Sequence, residues 1–208
     1  MKNLFRKKDK PAEANKPKTI VVVSGLPRSG TSLMMKMLDE GGLPLLTDAL
    51  RTADDDNPNG YFELEVVKQL PQGNINWLAD AEGKVVKIIS QLLEYLPSEN
   101  KYKILFMERE LSEVLASQKK MLANRNEQNQ VEDQQMEKQF GEHLQSIKYW
   151  LARQPNMEVL YVNYNRLVAS PQTHCQAVKD FIGMPLDIEK MCAVPSERLY
   201  RNRQSING

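Results

Sequence analysis

The sequence contains little cysteine and little histidine, with two of each among its 208 residues. Cys175 and Cys192 show neither a C-x-x-C spacing nor a nearby group of histidines, which argues against a zinc site and against a disulfide framework. We therefore expect two reduced thiols in a cytoplasmic protein. The scarcity of histidine also leaves only His143 and His174 as positions for a catalytic imidazole.

A long apolar run and an excess of one charge are also missing. No stretch approaches the roughly 20 apolar residues that a membrane-spanning helix needs, and 28 basic residues are balanced by 27 acidic ones. Balanced charge gives no indication of a nucleic-acid or membrane partner. We expect a soluble protein that binds neither, and the sequence leaves its oligomeric state open.

The chain is expected to form one domain behind a short leader. Residues 1–17 are basic and polar, lack the apolar segment of a signal peptide, and are predicted to be disordered. Residues 18–208 suffice for one sizeable core. Short apolar segments alternate with helical patterns, which predicts an α/β fold of three layers with a central parallel sheet flanked by helices. The predicted strands are Thr19–Ser24, Val85–Ile89, Ile104–Met107 and Val159–Asn163.

Helices are predicted from capping signals and from apolar residues at helical spacing. One extends from Gly30 to Glu40, one begins with Ser112 as its N-cap, and the last extends from Pro171 to Gly183. A further apolar stripe indicates core packing; it comprises Met136, Phe140, Leu144, Ile147, Trp150 and Leu151. Residues 43–63 and 124–135 are predicted to be irregular, and the second stretch is a candidate mobile flap.

The segment GLPRSGTSL, residues 25–33, has the pattern of a phosphate-binding loop between a strand and a helix. Glycines at positions 25 and 30 permit positive φ and close backbone approach, and the following helix N-terminus favours an anion. Their spacing is that of a Walker A loop, G-x-x-x-x-G-K-[ST], but Thr31 replaces the lysine that reaches the β- and γ-phosphates. This replacement argues against a nucleotide triphosphatase or kinase.

The run PRSGTS after a strand resembles the 5′-phosphosulfate loop of sulfotransferases, which use 3′-phosphoadenosine-5′-phosphosulfate (PAPS). Arg28 stands where cytosolic members usually have lysine, as in tyrosylprotein sulfotransferases and many bacterial relatives. The segment FMERELSEVLASQ is similar to the second family motif, R-x-P-x-x-x-x-x-S, with Arg109 and Ser117 matching and Leu111 replacing the proline. The segment VLYVNYNRLVASPQTHCQAVKDFIGMP is similar to the family's last strand–helix unit. The resemblance covers residues 18–200 and implies a P-loop fold.

The resemblance also implies the residues of the donor site. The loop would hold the 5′-phosphosulfate, and Arg109 with Ser117 the 3′-phosphate. The donor-binding residues implied are Arg28, Ser29, Gly30, Thr31, Ser32, Arg109 and Ser117. No metal is expected, because the donor carries its own activated mixed anhydride.

The catalytic residues implied are Arg28, Lys87 and Glu63. Lys87 matches the lysine of the Lys-x-His element of cytosolic members, but Ile89 occupies the histidine position. His143 and His174 are expected on helices away from the strand ends, so a carboxylate is the candidate general base. Relatives use a glutamate in the region of Glu63, and Glu65 is the second choice. The acidic run at residues 54–56 is expected to be a solvated turn rather than an acceptor or metal site.

These observations predict a PAPS-dependent sulfotransferase. The acceptor would be a hydroxyl or amine on a small molecule, a glycan or a peptide, and the sequence does not identify it, because a fold does not fix a substrate. Two alternatives stay open. One is a nucleotide-dependent kinase or phosphatase with the same kind of loop, and the other is a non-catalytic nucleotide-binding relative, since the histidine base is missing.

Overall fold

The computed structural model describes residues 19–48, 60–124 and 132–195. The predicted leader, the acidic run at residues 54–56 and most of the candidate flap at 124–135 lie outside these residues. The predictions made for them, and the domain boundary at residue 18, stay predictions.

The described residues form a four-stranded sheet in which all strands are parallel and the order is β2-β1-β3-β4. The strands are β1 (Thr19–Gly25), β2 (Val85–Lys87), β3 (Lys101–Glu108) and β4 (Met157–Asn163). Strand β2 lies beside one edge of β1, whereas β3 and then β4 lie beyond its other edge. The direction therefore reverses between β1 and β3, and ligands of open α/β sheets bind beyond the carboxyl ends of the strands at such a point.

Six α-helices lie in the described residues. They are α1 (Thr31–Glu40), α2 (Leu111–Asn124), α3 (Asp133–Leu151), α4 (Tyr164–Ala169), α5 (Pro171–Ile182) and α6 (Ile188–Ala193). Short 3₁₀ helices occupy Glu65–Gln72, Asn76–Asp80 and Ser90–Tyr95. The predicted ends of two helices are confirmed: α1 stops at Gly41, and α5 starts at Pro171 and stops at Gly183 with φ 74°. Contrary to the prediction, α5 is not the last helix, because α6 follows it.

Several boundaries differ from the predictions: β2 ends two residues earlier than predicted, and β4 starts two residues earlier. Two further differences have local causes. Ser112 is not an N-cap, because α2 begins at Leu111 and the carbonyl of Glu110 accepts from the amides of the first turn. Strand β3 starts three residues before the predicted Ile104, since polar residues interrupt its apolar pattern there. One of them, Lys103, extends from the strand to α5, where its Nζ donates to the carbonyls of Phe181 at 2.7 Å and Ile182 at 3.1 Å. Such contacts satisfy carbonyls at a helix C-terminus.

The sheet separates two apolar clusters, which gives the three predicted layers. In β1, Val21 and Val23 face α1, α4, α5 and α6, while Ile20 and Val22 face α3 and the 3₁₀ helices. This alternation follows from the two-residue period of a strand, and burial on both faces explains the continuous apolar run. On α3 the predicted core stripe is confirmed in its second half, where Ile147 and Leu151 are each 1% exposed. Its first two residues, Met136 and Phe140, lie outside both clusters.

Two further findings concern the helices and the cysteines of the described residues. None of its helices combines the length and the apolar character needed to cross a bilayer. The thiols of Cys175, on α5, and Cys192, on α6, are free and lie side by side where these helices pack. Burial, together with the neighbouring Cys192, raises the pKa of Cys175 to about 12.

Candidate functional site

The loop between β1 and α1 is shaped by two glycines. Gly25 ends β1 with φ 144°, and Gly30 precedes α1 with φ 104°. A Cβ added to Gly25 would lie 2.6 Å from the carbonyl oxygen of Met107, and one added to Gly30 would overlap the ring of Tyr164. Both positions therefore need glycine for close packing as well as for their backbone conformation.

The same loop places polar residues immediately before and at the start of α1. Arg28 has φ 71°, which is unusual for a non-glycine residue. Ser29 is 2% exposed, and its Oγ has no hydrogen-bond partner among the described residues. Thr31 opens α1, and the first amides of a helix have no partner within the helix and carry the positive end of its dipole. An arrangement of this kind can bind an anion.

The two sequence motifs meet at the carboxyl ends of β1 and β3. Arg28 Nε donates to Ser117 Oγ on α2 at 2.9 Å. Arg109, which follows β3 directly, donates from Nη1 to the carbonyl oxygen of Arg28 at 3.4 Å. The structure thus brings Arg28, Arg109 and Ser117 together, although the first is more than 80 residues from the other two along the chain.

Arg109 is held by residues that the sequence analysis did not identify. Its Nε donates to Glu113 Oε2 at 2.8 Å, and the other carboxylate oxygen accepts from Asn165 Nδ2 at 3.1 Å. The ring of Tyr164 lies 4.4 Å from the guanidinium carbon. The spacing of Glu113, four residues after Arg109, is a local signal that could have revealed the ion pair. Tyr164 and Asn165 come from another strand–helix unit and give no such signal.

A second group of residues lies on the β2 side of the loop. Lys87 Nζ is 3.3 Å from Ser32 Oγ and 3.7 Å from Glu63 Oε1, and it also donates to the carbonyl of Tyr61. The side chain of Lys87 is 9% exposed and that of Glu63 is 27% exposed. The carboxylate of Glu63 therefore points towards Lys87, which in turn contacts the loop at Ser32.

Glu65 occupies a different environment from Glu63. It opens a 3₁₀ helix and pairs with Lys68 at 2.8 Å, and both side chains are more than half exposed.

Phe62, just before Glu63, has φ 50°, a strained conformation for a bulky residue. Backbone strain of this kind persists where the surrounding structure holds it, often beside functional sites.

Comparison with known proteins identifies the family. The family model described as "Sulfotransferase domain" matches residues 18–205. The chain belongs to the sulfotransferase domain family. Two solved sulfotransferase domains are similar to it. That of the olefin synthase from Synechococcus PCC 7002 is 14% identical, with a TM-score of 0.52 over 91% of this chain and 82% of that one. That of the curacin biosynthetic pathway is 17% identical, with a TM-score of 0.50 over 88% and 79%.

The family match confirms the sequence-based resemblance, and the two structures confirm the fold. A comparison of the chain with curated protein sequences found no significant match. The closer similarity to tyrosylprotein and bacterial members, which was inferred from Arg28, stays a prediction.

A cleft opens beside the motif residues of this sulfotransferase domain. It has a volume of about 210 Å³ and lies at the carboxyl ends of β1, β3 and β4, with α2 and α3 as its other walls. Ser29 and Arg109 line it, as do Leu144 and Lys148 from α3. Ser29, whose buried hydroxyl has no partner among the described residues, thus lines the same cleft as Arg109.

One histidine lies on a helix, as predicted, but not away from the strand ends. His143 is on α3, and its Nε2 lies 2.8 Å from Oγ of Ser90, three residues beyond the end of β2. The cause is the packing of α3 across the end of the sheet, which local sequence patterns do not reveal. His174 lies on α5, where its Nδ1 is 3.0 Å from the carbonyl oxygen of Ser170.

His143 is expected to make the stability of the domain depend on pH. Burial lowers its pKa from 6.5, with Glu94 opposing the shift. The imidazole therefore binds a proton more readily in the unfolded chain than in the folded one. The contribution of His143 to the free energy of unfolding is fully present above the pKa of the unfolded chain, and it is lost as the pH falls towards the pKa of the folded protein. A His143→Gln variant should lose less thermal stability than the wild type between about pH 7.5 and 5.5. Equal losses in thermal melts of the two proteins would contradict this expectation.

Proposed function

We propose that the protein transfers a sulfuryl group from PAPS to a hydroxyl or amine of an acceptor. The observation that carries this proposal is the convergence of Arg28, Arg109 and Ser117 beside a glycine-shaped loop in a sulfotransferase domain. Members of this family generally use PAPS as the donor, whose mixed phosphate–sulfate anhydride supplies the activated sulfuryl group.

The residues present fit the 5′-phosphosulfate end of this donor. Gly25 and Gly30 let the loop backbone pack against Met107 and Tyr164. The Ser29 hydroxyl is buried with no partner among the described residues. Thr31 and Ser32 add hydroxyl groups at the start of α1. Amides and hydroxyls of residues 29–32 would hold the phosphate oxygens, and the helix dipole would favour the negative charge.

The 3′-phosphate would bind between Arg109 and Ser117. A guanidinium can bind two phosphate oxygens at once, and Arg109 follows β3 directly while Ser117 lies within the next helix, α2. Since Arg28 already donates to Ser117, the two phosphate subsites share a hydrogen bond. We expect this contact to align the loop with the 3′-phosphate subsite.

Two cations would stabilise charge at the reacting end. Arg28 lies within the loop, and Lys87 contacts Ser32, the last residue of the loop. Sulfuryl transfer, like phosphoryl transfer, builds negative charge on the leaving oxygen, and fixed cations stabilise such charge. The expectation that no metal is needed rests on the activated donor and stays a prediction.

Glu63 is the proposed general base. The acceptor must lose a proton as its bond to sulfur forms, and the carboxylate of Glu63 faces Lys87 rather than open solvent. Glu65 is a weaker candidate, because it pairs with Lys68 at the surface. The pairing of Glu63 with Lys87 would hold the base beside the charge-stabilising cation.

A thermal-shift comparison tests the donor. At equal concentrations, adenosine 3′,5′-bisphosphate should raise Tm more than ADP, or ATP with Mg²⁺, because only the bisphosphate can occupy both phosphate subsites. Stabilisation grows with the logarithm of ligand concentration over Kd, so the ranking of shifts reports the ranking of affinities. A larger shift with ATP and Mg²⁺ would overturn the proposal and favour the kinase alternative. Binding of the bisphosphate without transfer from PAPS to any acceptor would favour a non-catalytic relative.

A further inference from the structure

Glu113 is a buried carboxylate placed against the proposed 3′-phosphate subsite. The residue is 7% exposed, and its ion pair with Arg109 has a length of 2.8 Å. A carboxylate beside a cation that binds phosphate reduces the positive charge available to the ligand. Electrostatic attraction of the phosphate therefore does not explain why Glu113 lies there.

The contacts of Glu113 fix the orientation of the Arg109 guanidinium. Glu113 Oε2 accepts from the Nε edge, and the ring of Tyr164 packs near the guanidinium. Nη1 is directed to the backbone of Arg28, which lies in the loop. Nη2 is therefore the guanidinium nitrogen that these contacts leave for a ligand, and Arg109 lines the same cleft as Ser29.

Glu113 is itself held in place. Its second carboxylate oxygen accepts from Asn165 Nδ2 at 3.1 Å, so the carboxylate, which α2 carries, is bound by Arg109 after β3 on one side and by α4 on the other. A buried ion pair is weak evidence for added stability, because desolvation offsets the attraction. Its geometry is more informative, since an arginine that is fixed beforehand loses less conformational freedom when it binds.

We propose that Glu113 is a positioning residue that gives the donor site its selectivity for a 3′-phosphate by orienting Arg109. This inference rests on the proposed function, because it takes the ligand to be an adenosine nucleotide with a 3′-phosphate. Glu113 does not touch the ligand and acts only through Arg109. Nucleotides that lack a 3′-phosphate make no use of this orientation.

The test is the ratio of two Kd values, for AMP and for adenosine 3′,5′-bisphosphate, measured by calorimetry. In the wild type the bisphosphate should bind at least about tenfold more tightly, as expected for one charge-assisted contact. Glu113→Ala should remove most of this ratio and leave the Kd for AMP within about twofold. Glu113→Gln should keep part of the ratio, because the Gln oxygen can still accept from Nε and Asn165 can turn its amide.

Two comparisons separate positioning from a general structural effect. In an Arg109→Ala background, Glu113→Ala should leave the ratio unchanged, because the residue through which it acts is missing. The matched control is Glu40→Gln, which removes a carboxylate from an exposed i,i+4 ion pair with Lys36 on α1. This control should keep the wild-type ratio.

Each outcome has a defined meaning. If the wild type does not prefer the bisphosphate, the proposed function fails. If the wild type prefers it and Glu113→Ala does so equally, or if the variant weakens both ligands equally, the positioning inference fails alone. Should Glu113→Ala not fold, Glu113→Gln decides: a ratio equal to that of the wild type overturns the inference, and a reduced ratio with unchanged AMP binding supports it.

Discussion

Replacing Glu63 with glutamine is expected to preserve donor binding and to reduce sulfuryl transfer by a factor of about 10²–10⁴. Glutamine keeps the size of the side chain but cannot take a proton from the acceptor. The carboxylate faces Lys87 at 3.7 Å, and Lys87 contacts the loop at Ser32. The measurement is the rate of adenosine 3′,5′-bisphosphate release from PAPS with an acceptor that the wild type sulfates.

A matched control is available two residues further along the chain. Glu65→Gln alters an exposed carboxylate that pairs with Lys68, and it should leave the rate close to that of the wild type. Similar rates for wild type and Glu63→Gln would remove Glu63 from the mechanism.

Replacing Arg28 with alanine is expected to lower kcat by about 10²–10³, the usual cost of removing one group that stabilises developing charge. The affinity for adenosine 3′,5′-bisphosphate should fall less, by about tenfold, through loss of the contact with Ser117. An interaction that strengthens in the transition state affects turnover more than ground-state binding. Steady-state kinetics and calorimetry on the same variant measure both quantities.

Arg28→Lys provides the conservative comparison. It keeps the positive charge, and the cytosolic relatives resembled by this loop carry lysine at the same place, so part of the activity should remain. The lysine cannot reproduce the flat guanidinium that reaches Ser117 from Nε. Unchanged kcat in Arg28→Ala, or a loss confined to donor affinity, would contradict the assigned role.

Much of the fold follows from local patterns in the sequence. Strand β1 is predictable because its apolar, mostly β-branched residues are buried on both faces of the sheet. The ends of α1 and α5 are predictable because Gly41 and Gly183 stop them. The start of β3 is less predictable, since Lys103 looks like a loop residue until the carbonyls of α5 that it binds are known.

In the candidate site, too, local sequence motifs predict some contacts, and the packing of distant elements determines the others. The loop at residues 25–32 and the motif from Arg109 to Ser117 are each one continuous segment of sequence. Each can therefore be recognised as a motif, and the two motifs together predict the convergence seen in the structure. The contact between His143 and Ser90 joins residues 53 positions apart and depends on how α3 packs. Asn165 reaches Glu113 across 52 positions for the same kind of reason. Contacts set by the packing of distant elements leave no periodic signal in either segment.

The most direct test of the donor-site assignment is a crystal structure of the protein with adenosine 3′,5′-bisphosphate. We expect the 5′-phosphate against the amides of the loop at residues 25–32, and the 3′-phosphate between Arg109 and Ser117, with Glu113 still bound to Arg109 Nε. A bisphosphate bound in the reverse direction, or away from the carboxyl ends of β1 and β3, would contradict this assignment.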